Sequence, residues 1–257
     1  MDLAPPPAPP APAAWMRLAN PAVFNALADR LLLPLAVLTL AAFAFGLHGA
    51  FFASPADYQQ GETVRIMYIH VPAAWLAMFA YAGMAVSALG TLVFRHPLAD
   101  VAQKAAAPLG AGFTLICLLT GAIWGRPMWG TWWEWDARLT SVLILFLVYL
   151  GIMALWRAID EPGRAARAVA ILTLVGAANL PIIKFSVDWW YTLHQPAAVF
   201  RIDGPTIHPS MLVPLLVMGL AFLLLHLVLM LLRMKTELAL RRIERLQIVA
   251  AERGGAG

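Results

Sequence analysis

The sequence predicts an all-α fold, a polytopic membrane helix bundle with six transmembrane helices and both termini cytoplasmic. Three observations predict it. Of the 257 residues 61% are hydrophobic and only 12% charged, and the mean hydropathy is +0.75, far from the balance of a water-soluble domain. Six windows lack any Asp, Glu, Lys or Arg: Leu31 to Phe52, Ile66 to Phe94, Ala105 to Gly125, Leu139 to Trp156, Ala168 to Ile183 and Met211 to Leu232. Most of the basic residues outside them fall on one side of the membrane.

A helix needs about 20 apolar residues to cross the hydrocarbon, and backbone groups in lipid must pair internally, so each window reads as a helix. No alternation of the kind a transmembrane barrel requires is visible. The fifth window is the weakest, because it is short and carries Asn179 and Pro181 before Lys184. Arg17 and Arg30, Arg95 and Lys104, Arg157, Arg164 and Arg167, and the group from Arg233 to Arg253 share one side; Arg65, Arg126, Arg138, Lys184 and Arg201 take the other. The positive-inside rule makes the first side cytoplasmic.

Three parts follow: residues 1–30 as a cytoplasmic segment, 31–232 as the six-span domain and 233–257 as a basic cytoplasmic tail. The Pro/Ala-rich stretch Ala4 to Ala13 is expected to be disordered. It lacks the basic start and apolar core of a cleaved signal peptide, so the first span is expected to serve as the insertion signal. The tail reads as a basic helix near anionic headgroups. The single cysteine, Cys117, excludes an intrachain disulfide framework and a CxxC site.

Outside the membrane lie Ala53 to Arg65, Arg126 to Arg138 and Phe185 to Ser210. The second is the richest in chemistry. Five of ten tryptophans fall between Trp124 and Trp135, more than interfacial anchoring requires. The run reads as a flat, exposed aromatic platform for a large planar ligand. His70, His194 and His208 lie at the same face. Two neutral imidazoles could complete an axial pair on a porphyrin iron, indoles supply an apolar wall, and Arg pairs with carboxylates. The combination fits haem better than a bare metal ion, which wants more oxygen or sulfur ligands. The rival pair, His48 and His226, differs in depth by on the order of 15 Å at about 1.5 Å per helical residue, too far for one iron. His96 is on the cytoplasmic side.

At these residues the chain resembles the haem-handling membrane proteins of cytochrome c biogenesis that carry a WGxxWxWD motif. Here the motif is Trp129, Gly130, Thr131, Trp132, Trp133, Glu134, Trp135, Asp136. The continuation DARLTS, the flanking segments IHVPAAW and TLHQP, and the six spans are similar to the haem exporter protein C (CcmC) family over nearly the whole chain. The resemblance implies His70 and His194 as the two axial ligands of haem b. It implies a binding wall of Trp129, Gly130, Trp132, Trp133 and Trp135, with Asp136 fixing the loop or its partner. It implies Arg65 and Arg138 as basic residues supporting the haem, through its propionates, and leaves His208 structural.

The resemblance further implies delivery of haem at the outer face of the bacterial inner membrane to the periplasmic chaperone CcmE. The small subunit CcmD and the transporter pair CcmA and CcmB are the other implied partners. No GxxxxGK phosphate loop is present, so any ATP use is expected in a partner. No nucleophile or base set is evident, so the chain reads as a delivery protein rather than an enzyme. Two other classes compete. An ion-coupled transporter would carry ionisable residues along a central path, and these spans hold no Asp or Glu. A purely structural subunit would leave the outer histidines idle.

Overall fold

The computed structural model describes residues 19–254; the stretch expected to be disordered, Ala4 to Ala13, lies outside the described residues. Seven α-helices follow in order: α1 Pro21–His48, α2 Met67–Leu92, α3 Ala99–Trp129, α4 Ala137–Ala158, α5 Pro162–Ala177, α6 Asn179–Trp189 and α7 Pro209–Gly254. A π-turn, Gly49–Ala53, closes α1, and a 3-10 turn, Glu62–Ile66, leads into α2. They make six helical segments long and apolar enough to cross a membrane, α5 and α6 together forming the fifth. Both described ends lie at the same end of the bundle, where Asp29 meets Lys235.

The helices outrun the charge-free windows. α3 begins six residues before its window and ends at Trp129, carrying Asp100, Lys104 and Arg126 within it. Its 31 residues span about 46 Å at 1.5 Å each, beyond the ~30 Å hydrocarbon. A window without charge therefore measures the lipid slab and not the helix. The weak fifth window has a local cause. Pro181 has no N–H to donate and its ring crowds the carbonyl four residues back, so the helix breaks at Ala178. Asn179, at the break, donates to the Ser141 carbonyl of α4 at 2.8 Å. The tail is not a separate element, because α7 continues unbroken for 46 residues.

Helix starts follow the local chemistry. Asn20 caps α1 by accepting from Ala22 N–H, and Glu161 caps α5 by accepting from Gly163 and Arg164 N–H. Pro follows the cap in both cases, where its missing N–H costs nothing. α2 is central, packing on α3, α5 and α7, while α1 lies against α7.

The core between α2, α3, α4 and α5 contains polar ties unforeseen from the windows. Tyr149 donates to the Ala77 carbonyl at 2.8 Å and Tyr81 to the Thr173 carbonyl at 3.1 Å. Fully buried Gln103 donates to Thr91 at 2.9 Å. Such bonds, with small residues that let backbones approach, hold helices together where lipid removes the hydrophobic drive. Gly110 shows the fit: a Cβ there would collide with the Tyr149 hydroxyl. Gly110→Ala should displace that ring and break its bond to Ala77, costing roughly 2–4 kcal/mol. A lower unfolding temperature in detergent checks this.

At the end bearing both described termini, α7 is clamped by charge. Lys104 pairs with Glu237 at 2.8 Å, Arg241 with Asp100 at 2.7 Å, and Lys235 with Asp29. Beneath them Phe24, Ala28, Leu98, Val101, Ala105 and Met234 form a second small core.

Candidate functional site

The opposite end of the bundle holds a cavity between α2, α3, α4, α6 and the loop after α6. It contains about 650 Å³ of non-atom space, the open solvent at its mouth included. His70 and His194 line it together, with Trp129, Trp133 and Arg138.

His70 sits in the first turn of α2 and is 7% exposed. Its Nδ1 lies 3.1 Å from the Cys117 carbonyl and 3.1 Å from Thr120 Oγ1. The Thr120 hydroxyl donates to Ile116 O at 2.6 Å, so it can only accept from the imidazole, and a carbonyl only accepts. Nδ1 therefore carries the proton and Nε2 keeps its lone pair. Trp124 meets the ring edge-on at 5.7 Å. Gly121 lies beneath it, where a Cβ would stand 3.0 Å from Cε1.

His194 comes from the loop after α6. Its ring centre is 6.3 Å from that of His70 at an angle of 44°, and 5.2 Å from the Trp129 ring. Its Nδ1 is buried without a hydrogen-bond partner, as is Trp133 Nε1, although buried polar atoms are ordinarily paired. Both orphans belong to residues that line the cavity. Burial, then His70 and Arg138, hold the His194 imidazole down to about 3 from its ordinary 6.5. An opened loop would restore the ordinary value. Above pH 6.5 neither state binds a proton, and the closed loop keeps its full stability. As pH falls from 6.5 towards 3 only the open loop takes one up, so closure weakens by up to ~1.4 kcal/mol per pH unit. In the ligand-free protein, amide exchange at Leu193, corrected for its intrinsic pH dependence, should accelerate about tenfold per unit between pH 6 and 4. His194→Gln should abolish that dependence.

Asp136 joins the two loops. One carboxylate oxygen caps α4 by accepting from Leu139 N–H at 2.7 Å, and the other accepts from Leu193 N–H at 3.1 Å. Arg138 donates to Ser186 of α6 at 2.8 Å, and Ser186 in turn donates to Ile183 O. Gly130 ends α3 with φ +78° and donates to Arg126 O. A side chain would strain that left-handed turn.

The tryptophan run is divided rather than flat. Trp129 and Trp133 line the cavity, whereas Trp132 and Trp135 are 58% and 73% exposed. Trp124 donates to Gln60, tying α3 to the loop before α2. Thr131, bonded to both Trp133 O and Trp133 N, sets the turn that sends Trp133 inward.

Arg65 is placed apart. It pairs with Glu62, donates to the carbonyls of Ala50 and Ser54, and lines a neighbouring groove with Phe51, Ile69 and Ile123. His208 bonds Ser210 at the start of α7, outside the cavity. Gly46 faces Met218 and Gly49 faces Pro214, so His48 is level with about residue 215 and His226 lies roughly 15 Å deeper. The cavity floor, Ala74, Ala77, Met78, Cys117, Gly121 and Leu145, was not singled out from sequence. Its signal was present: 70, 74, 77 and 78 fall on one helical face.

Fold and site together define a multi-span helical membrane protein with paired imidazoles in a tryptophan-walled cavity at one end of its bundle. The chain belongs to the heme exporter protein C family (CcmC), whose model matches residues 14–249. It is 64% identical over 236 residues to heme exporter protein C of Bradyrhizobium diazoefficiens, covering 92% of this chain and 89% of that protein. It is 48% identical over 206 residues to heme exporter protein C of Escherichia coli K12, covering 80% and 83%. A putative cytochrome c biosynthesis ccmC-like mitochondrial protein of Marchantia polymorpha is 48% identical over 179 residues, covering 70% and 75%.

Proposed function

We propose that the protein handles haem for cytochrome c biogenesis within the Ccm haem exporter system. It holds haem b at the periplasmic face of the bacterial inner membrane between His70 and His194 and passes it to the chaperone CcmE. CcmD and the CcmA–CcmB transporter are its further partners. It delivers and does not catalyse.

The observation that carries this reading is the histidine pair. A metal–imidazole bond is about 2.0–2.1 Å and a ring nitrogen lies roughly 1 Å from the ring centre, so two imidazoles on one metal have centres up to about 6 Å apart. The rings here are 6.3 Å apart across the cavity. His70 offers a bare Nε2, and the His194 Nδ1 lacks a partner. Two nitrogen donors suit a metal whose remaining ligands arrive with it, as in a porphyrin. Trp129 and Trp133 supply apolar walls, and Trp133 Nε1 and the Arg138 guanidinium offer donors to carboxylates. Haem supplies an iron that binds nitrogen reversibly; the chain shields it and leaves one side reachable from outside.

The protein purified from haem-replete cells should show a Soret band. Added soluble CcmE domain should take up that chromophore without ATP. A colourless protein from such cells would end the reading. Membrane-impermeant thiol reagents should label Glu134→Cys, and not Arg242→Cys, in intact spheroplasts. The reverse pattern would overturn the orientation.

A further inference from the structure

We infer that the two histidines hold their ligand unequally: His70 is the fixed holder, set in place by Thr120 and the Cys117 carbonyl, and His194 is the exchangeable one. The inference rests on the haem reading above and adds to it an order of release.

His70 is constrained on every side. Its Nδ1–H faces two acceptors on α3, at 3.1 Å each. Trp124 closes its edge, and Gly121 lets α3 approach the ring closely. The backbone that carries it is the first turn of the central helix. To swing away, His70 would have to break both hydrogen bonds and disturb the α2–α3 contact. An acceptor on the far nitrogen also makes the metal-facing nitrogen more basic.

His194 has none of this. It lies five residues beyond the end of α6, no hydrogen bond among the described residues holds either ring nitrogen, and its ring is held by packing on Trp129. Near His194 its loop is latched by the bond from Leu193 N–H to Asp136, and farther along Phe200 packs on Trp75. It can leave with its loop without breaking any ring hydrogen bond. The first step of release then needs only a ligand exchange: the His194 nitrogen leaves the metal and a donor atom of the acceptor, or a solvent oxygen, replaces it, with no electron or proton required. Thr120 is a positioning residue, acting through His70.

The test uses the full-length, haem-loaded protein and its Thr120→Val, Thr120→Ser, His70→Gly and His194→Gly variants, with imidazole filling the missing ligand during purification and then removed. After reduction and addition of carbon monoxide, resonance Raman reads the Fe–C and C–O stretches, which report the imidazole opposite the gas. The wild-type adduct should match that of His194→Gly and differ from that of His70→Gly. Thr120→Val should shift those stretches and weaken haem retention about tenfold, and Thr120→Ser should restore both. A wild-type adduct matching His70→Gly would overturn the inference. So would a folded Thr120→Val protein with unmoved stretches. If Thr120→Val does not fold, the comparison of the wild type with the two glycine variants decides alone. A wild type without any haem chromophore would instead sink the haem reading, and this inference with it.

Discussion

The double variant His70→Ala, His194→Ala should purify folded and without a Soret band. Both nitrogen donors are then gone, and the cavity offers only apolar walls and Arg138, contacts that do not discriminate a metalloporphyrin from other flat molecules. Each single variant should keep one donor and lose the six-coordinate, low-spin spectrum. Its haem retention should fall by more than the ~100-fold typical of losing an outer partner. The two single variants should differ in stability. His70→Ala leaves Thr120 and the Cys117 carbonyl without their imidazole donor, a loss of about 1–2 kcal/mol. His194→Ala removes a buried atom that had no partner, so its unfolding temperature should stay level or rise. Haem spectra and thermal unfolding in detergent check both halves. Normal haem content in both single variants would refute the ligand assignment.

Asp136→Ala should be the next most damaging change, and Asp136→Asn should separate its two roles. The alanine variant removes the cap on α4, worth about 1 kcal/mol, and the charge-assisted bond to Leu193 N–H, worth about 1.5–3 kcal/mol. Asparagine keeps an oxygen for Leu139 but turns an NH2 towards the Leu193 donor. Both variants should free the His194 loop, with haem retention falling by one to two orders of magnitude, and alanine, which also loses the cap, should lower the unfolding temperature further than asparagine. Exchange at the Leu193 amide reads the latch directly. Unchanged exchange in Asp136→Asn would show that the latch does not hold the loop.

Much of this architecture was legible because lipid imposes a simple demand on sequence. Six windows without charge gave six spans, and even the doubtful fifth was doubtful for a physical reason, the Pro181 break that the structure displays. The windows hid what lies beyond the hydrocarbon: the outer end of α3 and the continuation of α7. Spacing put His70, His194 and His208 at one face but could not rank them, since a turn of loop decides whether an imidazole faces a cavity or a neighbouring serine. The same holds for Arg65 and Arg138. Both are basic and near the interface, yet Arg65 is spent on Glu62 and two carbonyls while Arg138 lines the cavity. The tryptophans looked alike in the motif, and the Gly130 turn and the Thr131 bonds sort them into lining and exposed. Thr120 was invisible, because a threonine in an apolar window carries no mark of the histidine it faces 50 residues away.

The pairing of α1 with α7 has a consequence for the order of biosynthesis. α1 enters the lipid first, yet the helix that covers it begins at Pro209, about 160 residues after α1 ends. Membrane helices insert one by one and associate afterwards. At about 5–20 residues per second the first helix therefore waits on the order of 10–30 s for its partner. During that interval the nascent protein is a set of five crossings with an orphaned leader. The arrival of the last helix gives the first most of its packing.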